Sequence, residues 1–221
     1  MVEEDLMSTN SVKLVGKIVS DLKFSHEMYG EGFYNFTLKV PRLSQYSDVL
    51  PVTVSERLLV DLNLDRESYI VIEGQLRSYN RYIKGNNKLI LTIFARDIDI
   101  PDADELDDII KKPNEIYLDG FICKEPVYRT TPFGREITDL LIAVNRPYNK
   151  SDYIPAIAWG RNAKFCDKLI IGDHIKLWGR IQSRGYQKKL SDGSVINKTA
   201  YEVSISKLEY IKDDNNRVEE E

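Results

Sequence analysis

Apolar and polar residues alternate in short runs along most of the chain, which is the period of half-buried strands. In Asn10–Val19, Val12, Leu14 and Ile18 form one apolar face, with Gly16 interrupting the run. A turn is expected at Met28-Tyr-Gly-Glu-Gly32. The second strand is then Phe33–Val40, with Phe36, Leu38 and Val40 on one face. A polar loop, Arg42–Asp48, leads to a third strand, Val49–Val54. Only then does the spacing change: Leu58, Leu59 and Leu62 predict a short helix within 55–66. Tyr69–Leu76, containing Gly74, is the fourth strand. Tyr79–Asn87 reads as a basic, aromatic turn, and Lys88–Ile100 is the fifth strand.

The pattern then repeats. Asn35–Arg42 and Val49–Arg57 follow the template of Asp139–Arg146 and Tyr153–Arg161, 104 positions upstream. Asn114–Gly120 matches Asn10–Gly16, and Phe133-Gly134 matches Tyr29-Gly30. Trp178-Gly179 matches Glu73-Gly74 at an offset of 105, so one residue is gained near the helix. The expected organisation is an N-terminal tail 1–9, a first module 10–100, a linker 101–113, a second module 114–212 and a C-terminal tail 213–221. Five strands with a helix between the third and fourth is the order of an OB barrel, so the fold class is mainly β, two tandem OB-fold five-stranded barrels. Such a barrel closes only by bending its strands sharply, which gives Gly16 and Gly74 a geometric role. In the linker, Leu106, Ile109 and Ile110 predict a helical turn that docks on one module.

Charge sharpens the division. The net of −4 conceals tails and linker of −3, −4 and −3 around modules of +1 and +5. A basic second module is a nucleic-acid signal, weighed against acidic tails that serve solubility alone. No apolar run approaches a membrane span and no signal peptide is visible, so a cytoplasmic, membrane-free protein is expected. Cys123 and Cys166 lack metal spacing and read as reduced thiols.

Catalytic chemistry finds little support. His26 and His174 occupy non-matching positions, and His174 reads as structural. No nucleophile triad, phosphate loop or Cys/His cluster is present in the sequence, and the clustered carboxylates lie in tails and linker. The expectation is no enzyme, no metal and no cofactor. The second module instead interleaves aromatics with cations: Arg146, Tyr148, Lys150, Tyr153, Trp159, Arg161, Lys164, Arg180, Arg184, Tyr186, Lys188 and Lys189. Flat π surfaces stack on bases and cations meet phosphates, the combination that single strands require. Trp159 also fits a core position. Trp178 faces away from the core and reads as an interface residue.

At these residues the second module resembles the bacterial single-stranded DNA-binding protein family. The resemblance runs through Asn114–Gly120, Glu125–Gly134, Leu140–Arg146, Asp152–Arg161 and Gly172–Tyr186, nearly the whole module. It implies sequence-independent binding of single-stranded DNA in replication, recombination or repair, by stacking on Tyr148, Tyr153, Trp159 and Tyr186. Arg146, Arg161, Arg180, Arg184 and Lys188 would make the flanking cationic contacts, and Tyr79, Tyr82 and Arg77 would contribute from the first module. That module has Val49 and Ser55 where the second has Tyr153 and Trp159, and Arg81 where it has Tyr186, so it is expected to bind weakly or to act as an assembly partner. RNA remains an alternative ligand, because stacking does not read the sugar. The resemblance further implies a homodimer presenting four OB modules and partners among replication or repair proteins. Family members commonly end in a Pro-Phe tip that this chain's Asn216–Glu221 lacks. The alternative function is a replication or primosome accessory protein whose modules dock proteins.

Overall fold

A computed structural model describes residues 9–60, 62, 68–83, 85–189 and 193–212. The expected tails, apart from Thr9 at the inner edge of the first, lie outside those residues. The first half contains β1 (Asn10–Ile18), β2 (Lys23–Met28), β3 (Glu31–Pro41), β4 (Ser47–Ser55), a 3-10 turn at Glu56–Leu58, β5 (Tyr69–Ile83) and β6 (Asn86–Asp99). Helix α1 (Ala103–Ile109) follows. The second half contains β7 (Asn114–Ile122), β8 (Val127–Thr130), β9 (Glu136–Arg146), β10 (Lys150–Trp159), α2 (Arg161–Cys166), β11 (His174–Lys189) and β12 (Val195–Ile211).

Each half closes into a five-stranded barrel. In the first, β1 pairs with both β5 and β3, β3 with β4, β4 in parallel with β6, and β6 with β5. The second repeats this with β7, β9, β10, β12 and β11. This is the tandem OB architecture. The glycine at the bend of the first strand is a requirement of closure. A Cβ on Gly16 would lie 2.6 Å from the Lys39 carbonyl oxygen, and one on Gly120 would lie 2.5 Å from that of Ala143. At Glu73/Gly74 and Trp178/Gly179 the register shifts by a bulge.

Three elements differ from the sequence reading. The short strands β2 and β8 each add a sixth strand at the edge of a barrel, and every residue in them is exposed. The basic turn at Tyr79–Asn87 is instead a hairpin arm, because pairs such as Tyr79↔Ile90 and Arg81↔Lys88 continue the β5–β6 ladder. The helix expected within 55–66 appears as the three-residue 3-10 turn, with Leu58, Leu59 and Leu62 packed against the core; residues 61 and 63–67 are not described.

The barrels join edge to edge through β1 and β7, making one twelve-stranded sheet. The antiparallel register pairs Asn10 with Leu118, Val12 with Ile116 and Leu14 with Asn114. Since Val12 and Ile116 are 104 positions apart, the pair they form lies at the centre of a pseudo-two-fold relation between the barrels. The flanking backbone obeys the same relation: Val15 N–H donates to the Pro113 carbonyl at 2.8 Å, and Asp119 N–H to that of Thr9 at 2.8 Å. One apolar core cluster runs through both halves, including Leu14, Leu38 and Ile72 of the first and Leu118, Ile142 and Leu177 of the second. On α1, Leu106, Ile109 and Ile110 are half-buried, and Ile109 and Glu105 share a small cavity with Lys13 and Glu73, placing the helix against the first barrel.

Candidate nucleic-acid interface

Along β10, Asp152, Ile154, Ala156 and Ala158 point inward, so Tyr153, Pro155, Ile157 and Trp159 share the opposite face. Pairing extends that face across five strands. Val127, Asp139, Ile157, Ser204 and Arg180 form one continuous row through β8, β9, β10, β12 and β11. Trp159 lies beside this row and donates its indole N–H to Ser204 Oγ at 3.1 Å, which fixes the ring's edge and leaves it half-buried. Tyr153 is 43% exposed. Arg129, which pairs with Asp139 through two nitrogens at 2.6 and 3.2 Å, joins the face from β8. It was not among the site residues expected from sequence, since a strand exposed on both sides carries no alternation to place it.

Tyr148 stands at the tip of the β9–β10 hairpin and is 93% exposed. It and Asn149 occupy left-handed backbone at φ 61° and 53°. For a residue with a Cβ this costs roughly 1–2 kcal/mol, and here it projects an aromatic ring into solvent. Arg184, Tyr186 and Lys188 alternate along the outer part of β11, all exposed, with Tyr186 opposite Lys198. Arg184 lies 3.6 Å from Glu202. Arg161 is exposed at the first position of α2, directly after Trp159-Gly160.

The remaining expected residues gather at the seam between the barrels. Arg77 and Arg146 converge on Asp152, which has no exposed surface, at 3.3 and 3.4 Å. Arg77 comes from the first barrel, so this is a bridge between the two. The Asp152 carboxylate also accepts the Ser78 N–H at 2.7 Å, and Ser78 Oγ accepts the Tyr153 N–H at 2.7 Å. The pseudo-symmetric bridge mirrors it. Buried Asp48 accepts from Arg42 at 2.8 and 2.6 Å and from the Ser183 N–H at 2.7 Å, and Arg180 approaches it to 3.5 Å. Burial, then repulsion from Arg146, lowers the Arg77 pKa, while burial and Arg42 lower that of Arg180. Tyr79 and Tyr82, both exposed, extend from the first barrel's hairpin arm beyond the Arg77–Asp152 bridge.

The corresponding face of the first barrel is filled differently. Its row reads Lys23, Asn35, Thr53, Phe94 and Gln75. Ser55, at the Trp159 position, bonds to Glu31, which in turn pairs with Arg57 at 3.4 Å. The aromatic bulk has moved one strand over: Phe94 stands where the second barrel has Ser204. It packs on Phe33 at 5.9 Å, and Phe33 stacks with His26 at 4.9 Å. On this face the first barrel's Phe94, Phe33 and His26 pack on one another, beside the Glu31 carboxylate.

On the back of the second barrel, Trp178 tilts against Tyr117 at 5.1 Å and Lys207 lies 4.3 Å over its ring. His174 pairs with Asp119 and stacks on Phe121. Cys166, the last residue of α2, is buried, and burial alone pushes its thiol up to about 12, out of reach of nucleophilic chemistry.

Two closed barrels, the second carrying an aromatic and cationic face, define a tandem OB-fold protein. Residues 113–211, the second module, match the family model described as "Single-strand binding protein family". A single-stranded DNA-binding protein of Deinococcus radiodurans is 32% identical over 99 residues, 41% of this chain and 32% of that protein. The chain thus spans about a third of that relative's length. The solved wild-type single-stranded DNA-binding protein of Thermus aquaticus superposes with a TM-score of 0.71 at 19% identity, covering 92% of this chain and 93% of that one, a likeness of fold. The N-terminal domain of a PriB protein from Thermoanaerobacter tencongensis is 56% identical, covering 42% of this chain and 97% of that domain, with a TM-score of 0.38.

Proposed function

We propose that this protein binds single-stranded DNA without sequence preference, in bacterial replication, recombination or repair, and that the second barrel carries the main binding face. The observation that carries this reading is the face of β10, where Tyr153 and Trp159 project from the same side, flanked by Arg129, Arg161 and Arg184. Trp159, Tyr153, Tyr148 and Tyr186 stack on bases, while Arg161, Arg184 and Lys188 meet phosphates. Arg77, Arg146 and Arg180 hold the barrels in register beside that path and lend it positive potential. Residues 10–100 and 114–212 act as the two modules and 101–113 as their linker. With Glu31 and Ser55 on its face, the first module binds weakly and serves chiefly as scaffold.

The test is a titration with oligo-dT followed by tryptophan fluorescence, since Trp159 and Trp178 both lie in the second barrel. Quenching, and affinity that falls as salt rises, are expected. Base–aromatic stacking is worth about 1–3 kcal/mol per base, so Trp159→Ala and Tyr153→Ala should each weaken binding about ten-fold or more. Unchanged affinity in both folded variants would refute the stacking assignment, and equal affinity for duplex DNA would refute the function. Tighter binding of oligo-U than oligo-dT would move the ligand to RNA. Negligible affinity for either, with retention of a helicase or primase in pull-downs, would favour an accessory protein that docks partners.

A further inference from the structure

A cavity of about 590 Å³ opens at the seam between the barrels, beside the Asp48 bridge. Its wall is built from three parts of the chain: Arg42 and the loop after it, Lys111 and Lys112 at the end of the linker, and Arg180 with Ser204 on the second barrel. Four cations line it against two acids, Asp48 and Glu115. Asp48 is already engaged by both nitrogens of Arg42 and by the Ser183 N–H. Arg180 Nη1 is buried and 3.5 Å from Asp48, yet it donates to no hydrogen-bond acceptor among the described residues. A buried donor left open costs free energy that an incoming acceptor recovers. Lys111 pairs with Asp108 at 2.7 Å, but both side chains are largely exposed, so that pair is easily exchanged.

The cavity also has a neighbour. Ser204, part of its wall, accepts the indole N–H of Trp159. Ser204 therefore stands between Trp159 and the cavity. We infer that this seam cavity is a phosphate-binding channel for the strand leaving Trp159, with Arg180, Lys111 and Lys112 as its donors, and that it carries single-stranded DNA from the second barrel toward the first. The inference rests on the single-strand-binding reading above. It assigns the linker a ligand-binding role that its acidic composition conceals, because the two lysines lie at its very end.

The full-length chain tests it through the salt dependence of oligo-dT binding. Each neutralised phosphate of a single strand contributes a slope of about 0.7 in log K against log salt. The Lys111→Gln/Lys112→Gln double variant should lower the slope by about 1.4 on a long oligonucleotide of about 35 nucleotides. On a short one of about 8 nucleotides, within the span of one barrel, the slope should not change. Ser44→Trp, which plugs the cavity from the Arg42 loop, should weaken the long oligonucleotide only. Wild-type slopes in the double variant on both lengths, or equal losses on both, overturn the channel. Failure of the wild-type chain to bind either length overturns the functional reading instead. A second arm replaces chloride by inorganic phosphate at matched ionic strength. The length-dependent difference should survive, and its selective loss would mean a site for free phosphate and sink the strand assignment.

Discussion

Asp152 has no exposed surface, and its oxygens accept from two arginines and one backbone N–H. Its charge is compensated from both sides of the seam, by Arg146 of its own barrel and Arg77 of the other. Removing one member of such a buried pair costs more than the pair itself contributes, since the survivor is left desolvated. Asp152→Asn keeps the shape and an acceptor for Ser78 but strands Arg77, whose side chain is only 14% exposed. It should destabilise the fold by about 3 kcal/mol or more, seen as a lower urea midpoint. A variant matching the exposed control Glu73→Gln would show that the bridge does not hold the seam. At this scale the sequence was readable where alternation decides. Tyr153 and Trp159 are an even number of positions apart, and in the extended β10 that puts both on one face. The bridges were hidden, because Ser78 and Asp152 are 74 positions apart and nothing local distinguishes Arg77 or Arg180 from a free surface cation. Ser55 in place of Trp159 was legible from the repeat, but Phe94 in place of Ser204 was hidden for a related reason. It is a swap between neighbouring strands, and the two strands are far apart in sequence.

The strands themselves depend on a few positions without a side chain. At the bulges, a Cβ on Gly74 would collide with the Phe94 carbonyl oxygen, and one on Gly179 with that of Ser204. Both obstacles are backbone, so neither can step aside without opening the β5–β6 or β11–β12 ladder. Gly74→Ala and Gly179→Ala should each cost about 1–3 kcal/mol. Gly179→Ala should in addition weaken oligo-dT binding, because it displaces Ser204 and with it Trp159. Thermal melts and the fluorescence titration check both, and an alanine variant as stable as the parent would remove the bulges from the account. Most strands were readable because each buries one face. The edge strands β2 and β8 bury neither, so their hydrophobic pattern is silent. The first barrel's hairpin arm was cut short in the sequence reading because Tyr79–Asn87 carries the polar composition of a turn. Its ladder is held by backbone pairing, to which composition is indifferent.

The whole molecule is two barrels meeting across β1 and β7, and the repeat at 104 residues disclosed the barrels but not the strand by which they meet. Each first strand pairs with its own counterpart, leaving the far side of the second barrel with Tyr117, Trp178 and Phe121. At the corresponding place the first barrel has the Lys13–Glu73 ion pair, with α1 alongside. We propose that the homodimer of four modules implied by the family resemblance uses this side. Light scattering should then give about twice the 25.5 kDa of one chain, and Trp178→Glu should return the mass to that of a single chain. A parent that already runs as one chain would end the proposal.

The central Val12–Ile116 pair has a consequence for how change accumulates in this molecule. When two identical subunits meet across such an axis, every substitution is made twice, and its cost is counted on both sides. Here the two sides are written separately in one chain. A replacement of Trp by Ser is charged to one barrel alone, while the other keeps the original surface and continues to hold the joint. The covalent linker relaxes the rule that both halves must be equal, and the two unlike faces of this protein are what that freedom permits.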